Sequence, residues 1–128
     1  MGENDIGKYL VDTAVQLHKD LGPGLFEVVY ETVLAHELCR KGMHVERQVS
    51  INLEYHGLKF EEAFRADLII EDKVIVELKY VERLNSSHKK QLLTYLRLTG
   101  IRLGFLLNFS EARMKDGIVR TVNQLVEK

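Results

Sequence analysis

Two alternating segments joined by a short link constrain this chain more than any other feature: residues 64–70 (FRADLII), the link Glu71-Asp72-Lys73, and residues 74–80 (VIVELKY). Ala66, Leu68 and Ile70 share one side of the first segment, and Val74, Val76 and Leu78 share one side of the second. Centring a hairpin on Asp72 sets Ile70 against Val74, Leu68 against Val76 and Ala66 against Leu78. A slip of one residue would break that apolar face, so the register is strongly specified. The same register predicts Asp67 opposite Glu77 and Arg65 opposite Lys79. Directly opposed residues have Cβ atoms about 4.5–5.5 Å apart, where like charges repel. Two carboxylates so close require a cation: a divalent metal, or Arg65 and Lys79 themselves. A mixed-sign ladder on a solvated face is also an ordinary feature of antiparallel sheets. The density of aliphatic residues in VIVELKY points instead to a central strand whose charges emerge at one end.

At 128 residues the chain is expected to form one domain, spanning 1–128, with a real core. Eighteen basic and 19 acidic residues give a net charge of −1, so no global field announces a polyanionic partner. No run approaches the roughly 20 apolar residues needed to span a bilayer. The first residues, Met1-Gly2-Glu3-Asn4-Asp5, lack the basic start and apolar run of a signal peptide. Cys39 is the only cysteine, which excludes an intrachain disulfide and a thiolate metal cluster. It is expected as a small core residue of a largely apolar helix. A cytoplasmic protein with no membrane partner is expected.

Ile6, Leu10, Ala14, Leu17 and Leu21 recur at helical spacing and predict a first helix, broken at Gly22-Pro23-Gly24. A second helix is expected over 25–41, with Gly42 as its terminating residue. Strands are expected over 45–53 and 58–64, joined around Tyr55-His56-Gly57, followed by the hairpin. Asn85-Ser86-Ser87 supplies N-cap chemistry for a helix that runs to Leu98 and stops at Gly100. Residues 103–109 read as a buried strand and 117–122 as a shorter one. The fold class is α+β, a mixed sheet flanked by helices.

On the third helix His88, Gln91 and Tyr95 share one face. Between Lys79 and Arg102, six basic residues, including Lys89, Lys90 and Arg97, stand against the single acid Glu82. That local charge of +5 leaves −6 for the rest of the chain, a modest footprint for a phosphate backbone. A solvated helix with snorkelling lysines would carry the same charges. Glu27 falls in the first turn of the second helix, where the helix dipole favours a carboxylate by roughly 0.3–1 kcal/mol. Tyr30, one turn on, lies on the same face, as a second site residue or as packing. His18, His36, His44 and His56 show no metal-ligand spacing.

The ordered set Glu27, Asp67, Glu77-Leu78-Lys79, Gln91 and Tyr95 resembles the PD-(D/E)xK nuclease superfamily, and more narrowly its small GxxExxY family. The matching stretches are GLFEVVY at 24–30, RADLII at 65–70, KVIVELK at 73–79 and HKKQLLTYL at 88–96. Arg65-Ala66 stands where the superfamily name implies a proline. The resemblance implies a restriction-endonuclease-like core in αβββαβ order and a metal-dependent nuclease that hydrolyses phosphodiester bonds, with DNA the expected substrate, in repair, recombination or defence. It implies Mg²⁺ or Mn²⁺ held by Asp67, Glu77 and the Leu78 carbonyl, with Glu27 holding a second ion or its waters. Lys79 would hold the attacking water or stabilise developing charge, the role expected beside two carboxylates. Gln91 would orient the water or the scissile phosphate, while Tyr95, His88, Lys89, Lys90 and Arg97 would contact nucleic acid. The near-neutral charge leaves room for a homo-oligomer or a protein partner that delivers substrate. The alternative is a non-catalytic nucleic-acid-binding or protein-interaction module that kept the fold.

Overall fold

In the computed structural model, which describes residues 1–126, two helices precede a mixed five-stranded sheet. The elements run α1 (Glu3–Leu21), α2 (Glu27–Arg40), β1 (Val45–Tyr55), β2 (Leu58–Ile70), β3 (Val74–Lys79), α3 (Ser86–Thr99), β4 (Leu103–Asn108), the 3₁₀ turn η1 (Met114–Gly117) and β5 (Ile118–Val122). Strand order across the sheet equals chain order. All neighbours are antiparallel except β3 and β4, which run parallel with α3 as the crossover.

The sheet is covered on both faces, so its central strands carry no solvated side. Ile6, Leu10, Leu34 and Leu38 of α1 and α2 pack with Leu68, Val74, Val76 and Leu107 on one face. Leu92 and Leu96 of α3 pack with Ala66, Ile69, Ile75 and Leu106 on the other. VIVELK is therefore the middle strand of five and buried throughout, except at Lys79. Among the described residues no helix is long and apolar enough to cross a membrane.

The expected hairpin register holds where the core enforces it: Ile70 pairs with Val74 and Leu68 with Val76. Glu71 and Asp72 turn the link with left-handed φ of 53° and 54°. Beyond Leu68 the two strands part, and Ala66 and Leu78 fall in opposite cores instead of facing each other. Arg65 also departs from expectation, because its guanidinium binds Glu62 on its own strand. The segments expected as 58–64 and 64–70 fuse into one 13-residue strand, since no turn residue separates them. Its first half pairs with β1 alone and forms a two-stranded arm. Cys39 is exposed rather than packed, because the buried stripe of α2 follows Tyr30, Leu34, Ala35 and Leu38.

Helix ends follow the expected chemistry. Asn85 caps α3 by accepting the His88 N–H at 3.1 Å, and Gly100 ends it at a left-handed φ of 74°.

Candidate active site

Where β2 leaves β3, side chains take over from the backbone ladder. The Asp67 N–H donates to Glu77 Oε2 at 2.7 Å, and the Leu78 N–H donates to Asp67 Oδ2 at 2.9 Å. Each carboxylate thus closes a bond that a strand backbone would otherwise make, and the opening between the strands is the site. Glu77 is only 6% exposed. Burial first, and then the charge of Asp67, push its pKa up to about 8. The hydrogen bond from Asp67 and the charge of Lys79 oppose that rise, while Glu31 adds to it.

Helix α2 supplies the opposite wall. Glu27 is exposed in its first turn, and Glu31, one turn later, is buried. Glu31 accepts the Gln48 amide at 2.6 Å and pairs with the Arg47 guanidinium at 2.9 Å. The same Gln48 nitrogen lies 3.1 Å from Asp67 Oδ1, so one amide bridges the helix carboxylate and the strand carboxylate. Gln48 reaches both from a left-handed φ of 50° within β1, between the paired residues Arg47 and Val49. A non-glycine residue there is uncommon and gathers at functional positions. Glu27, Val28, Glu31, Gln48, Asp67 and Leu78 line a cleft of about 290 Å³, together with Arg47.

The structure brings Glu27, Asp67 and Leu78 to one cleft, with Glu77 behind Asp67 and Lys79 close enough to lower the pKa of Glu77. Tyr95 of α3 stacks on Phe64 with ring centroids 3.7 Å apart. Burial and then the charges of Glu77 and Asp67 raise its pKa. Gln91, Lys89, Lys90 and Arg97 are exposed on α3 and make no hydrogen bond or ion pair to the carboxylates among the described residues. His88 belongs to the α3 capping box, its Nδ1 accepting the Asn85 N–H at 3.1 Å. Tyr30 does not face the cleft. It is buried, stacks on Phe109 at 4.4 Å, and its hydroxyl donates to the Gly22 carbonyl at 2.5 Å and accepts the Leu25 N–H at 3.2 Å.

Glu31, Arg47 and Gln48 were not singled out from the sequence. One signal was present for the first: Glu31 follows Glu27 by four residues and shares its helical face.

Among the described residues no three His, Cys, Asp or Glu side chains form a ready metal-binding group. Each carboxylate is instead held by a donor: Glu77 by the Asp67 N–H, Asp67 by the Leu78 N–H and Gln48, and Glu31 by Arg47 and Gln48. The donors that remain are hard oxygens. Mg²⁺ typically takes one or two carboxylates and keeps several waters. A buried acid with a pKa near 8 beside a second carboxylate is also the electrostatic situation a cation relieves. The residues fit a divalent ion of that kind.

A mixed sheet clad by helices, with an acidic cleft where its central hairpin opens, defines an α+β nuclease-like protein. The family model described as the PD-(D/E)XK nuclease superfamily matches residues 4–121, and the chain belongs to that superfamily. Its members act on nucleic acid and generally use divalent metal ions. A solved structure described as "Crystal structure of SSO0001" is similar at 19% identity and a TM-score of 0.47, over 91% of this chain. This chain spans 65% of the length of that one. No curated protein matches the chain.

Proposed function

We propose that the chain is a nuclease of the GxxExxY type that hydrolyses phosphodiester bonds in DNA with Mg²⁺ or Mn²⁺. The observation that carries this reading is the reciprocal clamp of Asp67 and Glu77 at the point where β2 and β3 part. Asp67, Glu77 and the Leu78 carbonyl would hold the ion, and Glu27 a second ion or its waters. When bound, a divalent cation supplies charge stabilisation on the phosphate and a water activated near neutral pH.

The chain's own groups supply the rest. Burial and the charge of Asp67 hold Glu77 protonated, so it would have to give up that proton to hold the ion. Gln48 keeps Asp67 and Glu31 at fixed separation, so Asp67 does not swing into solvent. Lys79, two residues beyond Glu77 on the same strand, offers its ammonium to the attacking water or the developing negative charge. Tyr95, whose pKa is raised by burial and by the charges of the two carboxylates, would meet the sugar-phosphate backbone, with Gln91 one turn before it orienting the scissile phosphate. His88, Lys89, Lys90 and Arg97 would extend that contact along α3.

The test is cleavage of circular and linear DNA, single- and double-stranded, with an RNA control. Wild type is run with Mg²⁺ or Mn²⁺, with EDTA, and beside Lys79→Ala. Metal-dependent cleavage lost in Lys79→Ala is expected, and cutting of circles would mark an endonuclease. Equal cleavage by the variant would overturn the assignment. No cleavage of any substrate, with nucleic-acid binding that persists in EDTA and in Glu77→Gln, would favour a non-catalytic binding module.

A further inference from the structure

A second, larger cavity of about 470 Å³ lies at the C-terminal end of α1. His18 and Lys19 of α1, Pro23 of the break that follows, and Arg113, Met114 and Lys115 at η1 form most of its wall. Three cationic side chains line it and no carboxylate does, in a chain with 19 acids and a net charge of −1. Lys19 and Lys115 have no ion-pair partner among the described residues, and Arg113 is held at the rim by Asp116 at 3.3 Å. His18 is 4% exposed, and its Nε2 is a buried side-chain nitrogen with no hydrogen-bond partner among the described residues.

The wall is built of restrained pieces. Pro23 has a fixed φ, and the Tyr30 hydroxyl ties both ends of the break by bonding Gly22 and Leu25. On the other side Gly117 lies so close to the Asn108 carbonyl that a Cβ has no room, which seats η1 against the end of β4. Cations converging on a preformed cavity recognise a compact anion without first being ordered.

We infer that this cavity is a phosphate-binding site. The ammonium groups of Lys19 and Lys115 act as point charges, and the Arg113 guanidinium adds directed N–H donors. A phosphate there also places negative charge beside the His18 ring. The site rests on the nuclease reading for the source of its ligand, a phosphate of the same strand that is cut at Asp67 and Glu77. Pro23 of the cavity and Glu27 of the cleft are four residues apart, so at most about 14 Å of chain separates them. A free nucleotide carries the same chemistry.

The test compares wild type with Lys19→Ala/Lys115→Ala in the full chain, in EDTA so that nothing is cleaved. Two probes are used: a fluorescent single-stranded oligonucleotide followed by anisotropy, and AMP followed by its effect on Tm. Circular dichroism verifies the fold, and Lys19→Arg/Lys115→Arg serves as the charge-preserving control. Removing two phosphate contacts should weaken oligonucleotide binding about tenfold and reduce the salt slope by roughly 1.4. Loss of the AMP effect with unchanged oligonucleotide affinity would assign the site to a free nucleotide. If neither probe distinguishes the alanine variant from wild type, or if the arginine variant loses binding as fully as the alanine variant, the site is overturned. DNA cleavage by wild type with unchanged binding in the double variant would sink this site and leave the nuclease reading standing. Weakened binding without cleavage under any metal would do the reverse.

Discussion

Asp67 and Glu77 hold each other through the backbone: Glu77 accepts the Asp67 N–H at 2.7 Å, while Asp67 accepts the N–H of Leu78, the neighbour of Glu77. The clamp fixes both side chains but leaves two acids facing one another with Glu77 buried, so only one of them ionises easily.

That conflict sets a pH dependence in the metal-free protein. The Glu77 pKa rises from 4.5 to about 8 on folding, so between those values the native state binds the extra proton. Stability is free of this penalty below pH 4.5, falls as pH rises through the window, and carries the full penalty above about 8. Glu77→Gln keeps an oxygen acceptor for the Asp67 N–H and removes the charge. We expect it to be more stable than wild type at pH 8.5 by on the order of a few kcal/mol, and level with it near pH 4. Urea unfolding across pH in EDTA measures this, and parallel curves for the two proteins would refute the assignment.

Addition of Mg²⁺ or Mn²⁺ should reverse the ranking. The ion requires ionised Glu77, so binding near pH 7 releases about one proton. Calorimetry in two buffers of different ionisation enthalpy reads that proton directly. The metal should raise the Tm of wild type and leave Glu77→Gln unmoved. An equal rise in both would place the ion elsewhere.

The two helix carboxylates should separate cleanly. Glu31 is buried and bound to Arg47 and Gln48, so Glu31→Ala removes an acceptor from each, leaving them Thr32 and Asp67, and should cost about 1–2 kcal/mol. Glu27 is exposed, and Glu27→Ala should cost less than about 1 kcal/mol, through the helix dipole alone. Its effect belongs to cleavage, where a loss of at least about tenfold is expected if it holds metal-bound waters. Urea midpoints and cleavage rates for both variants test this, and an unchanged rate in Glu27→Ala would remove it from the site.

What the sequence disclosed follows from which forces act locally. Leu68, Ile70, Val74 and Val76 report the hairpin register because alternation and burial coincide there. Asn85 and Gly100 mark α3 because caps act within one turn. Gln48 left no such mark: its left-handed backbone carries no glycine, and its partners lie 17 and 19 residues away. Arg65 binds Glu62 instead of facing Lys79, because the β2–β3 ladder ends at Leu68 and a register extended past that point has no pairing behind it. Cys39 sits on a largely apolar helix yet stays exposed, because the buried stripe passes one residue to the side at Leu38.

Tyr30 offers the sharpest contrast between motif and role. Sharing a helical face with Glu27 leaves a site role and packing both open, and its ring lies in the core, stacked on Tyr80 and Phe109. Its hydroxyl bonds Gly22 and Leu25, the two ends of the break that joins α1 to α2. Tyr30→Phe keeps the ring and leaves one carbonyl and one N–H without their partner, at a cost of about 1–3 kcal/mol. We expect Tm to fall while cleavage by the folded protein at saturating DNA stays within about twofold of wild type. Because the break also walls the cation-lined cavity, oligonucleotide affinity in EDTA should weaken along with Tm. A variant that kept its stability but lost cleavage would return Tyr30 to the active site.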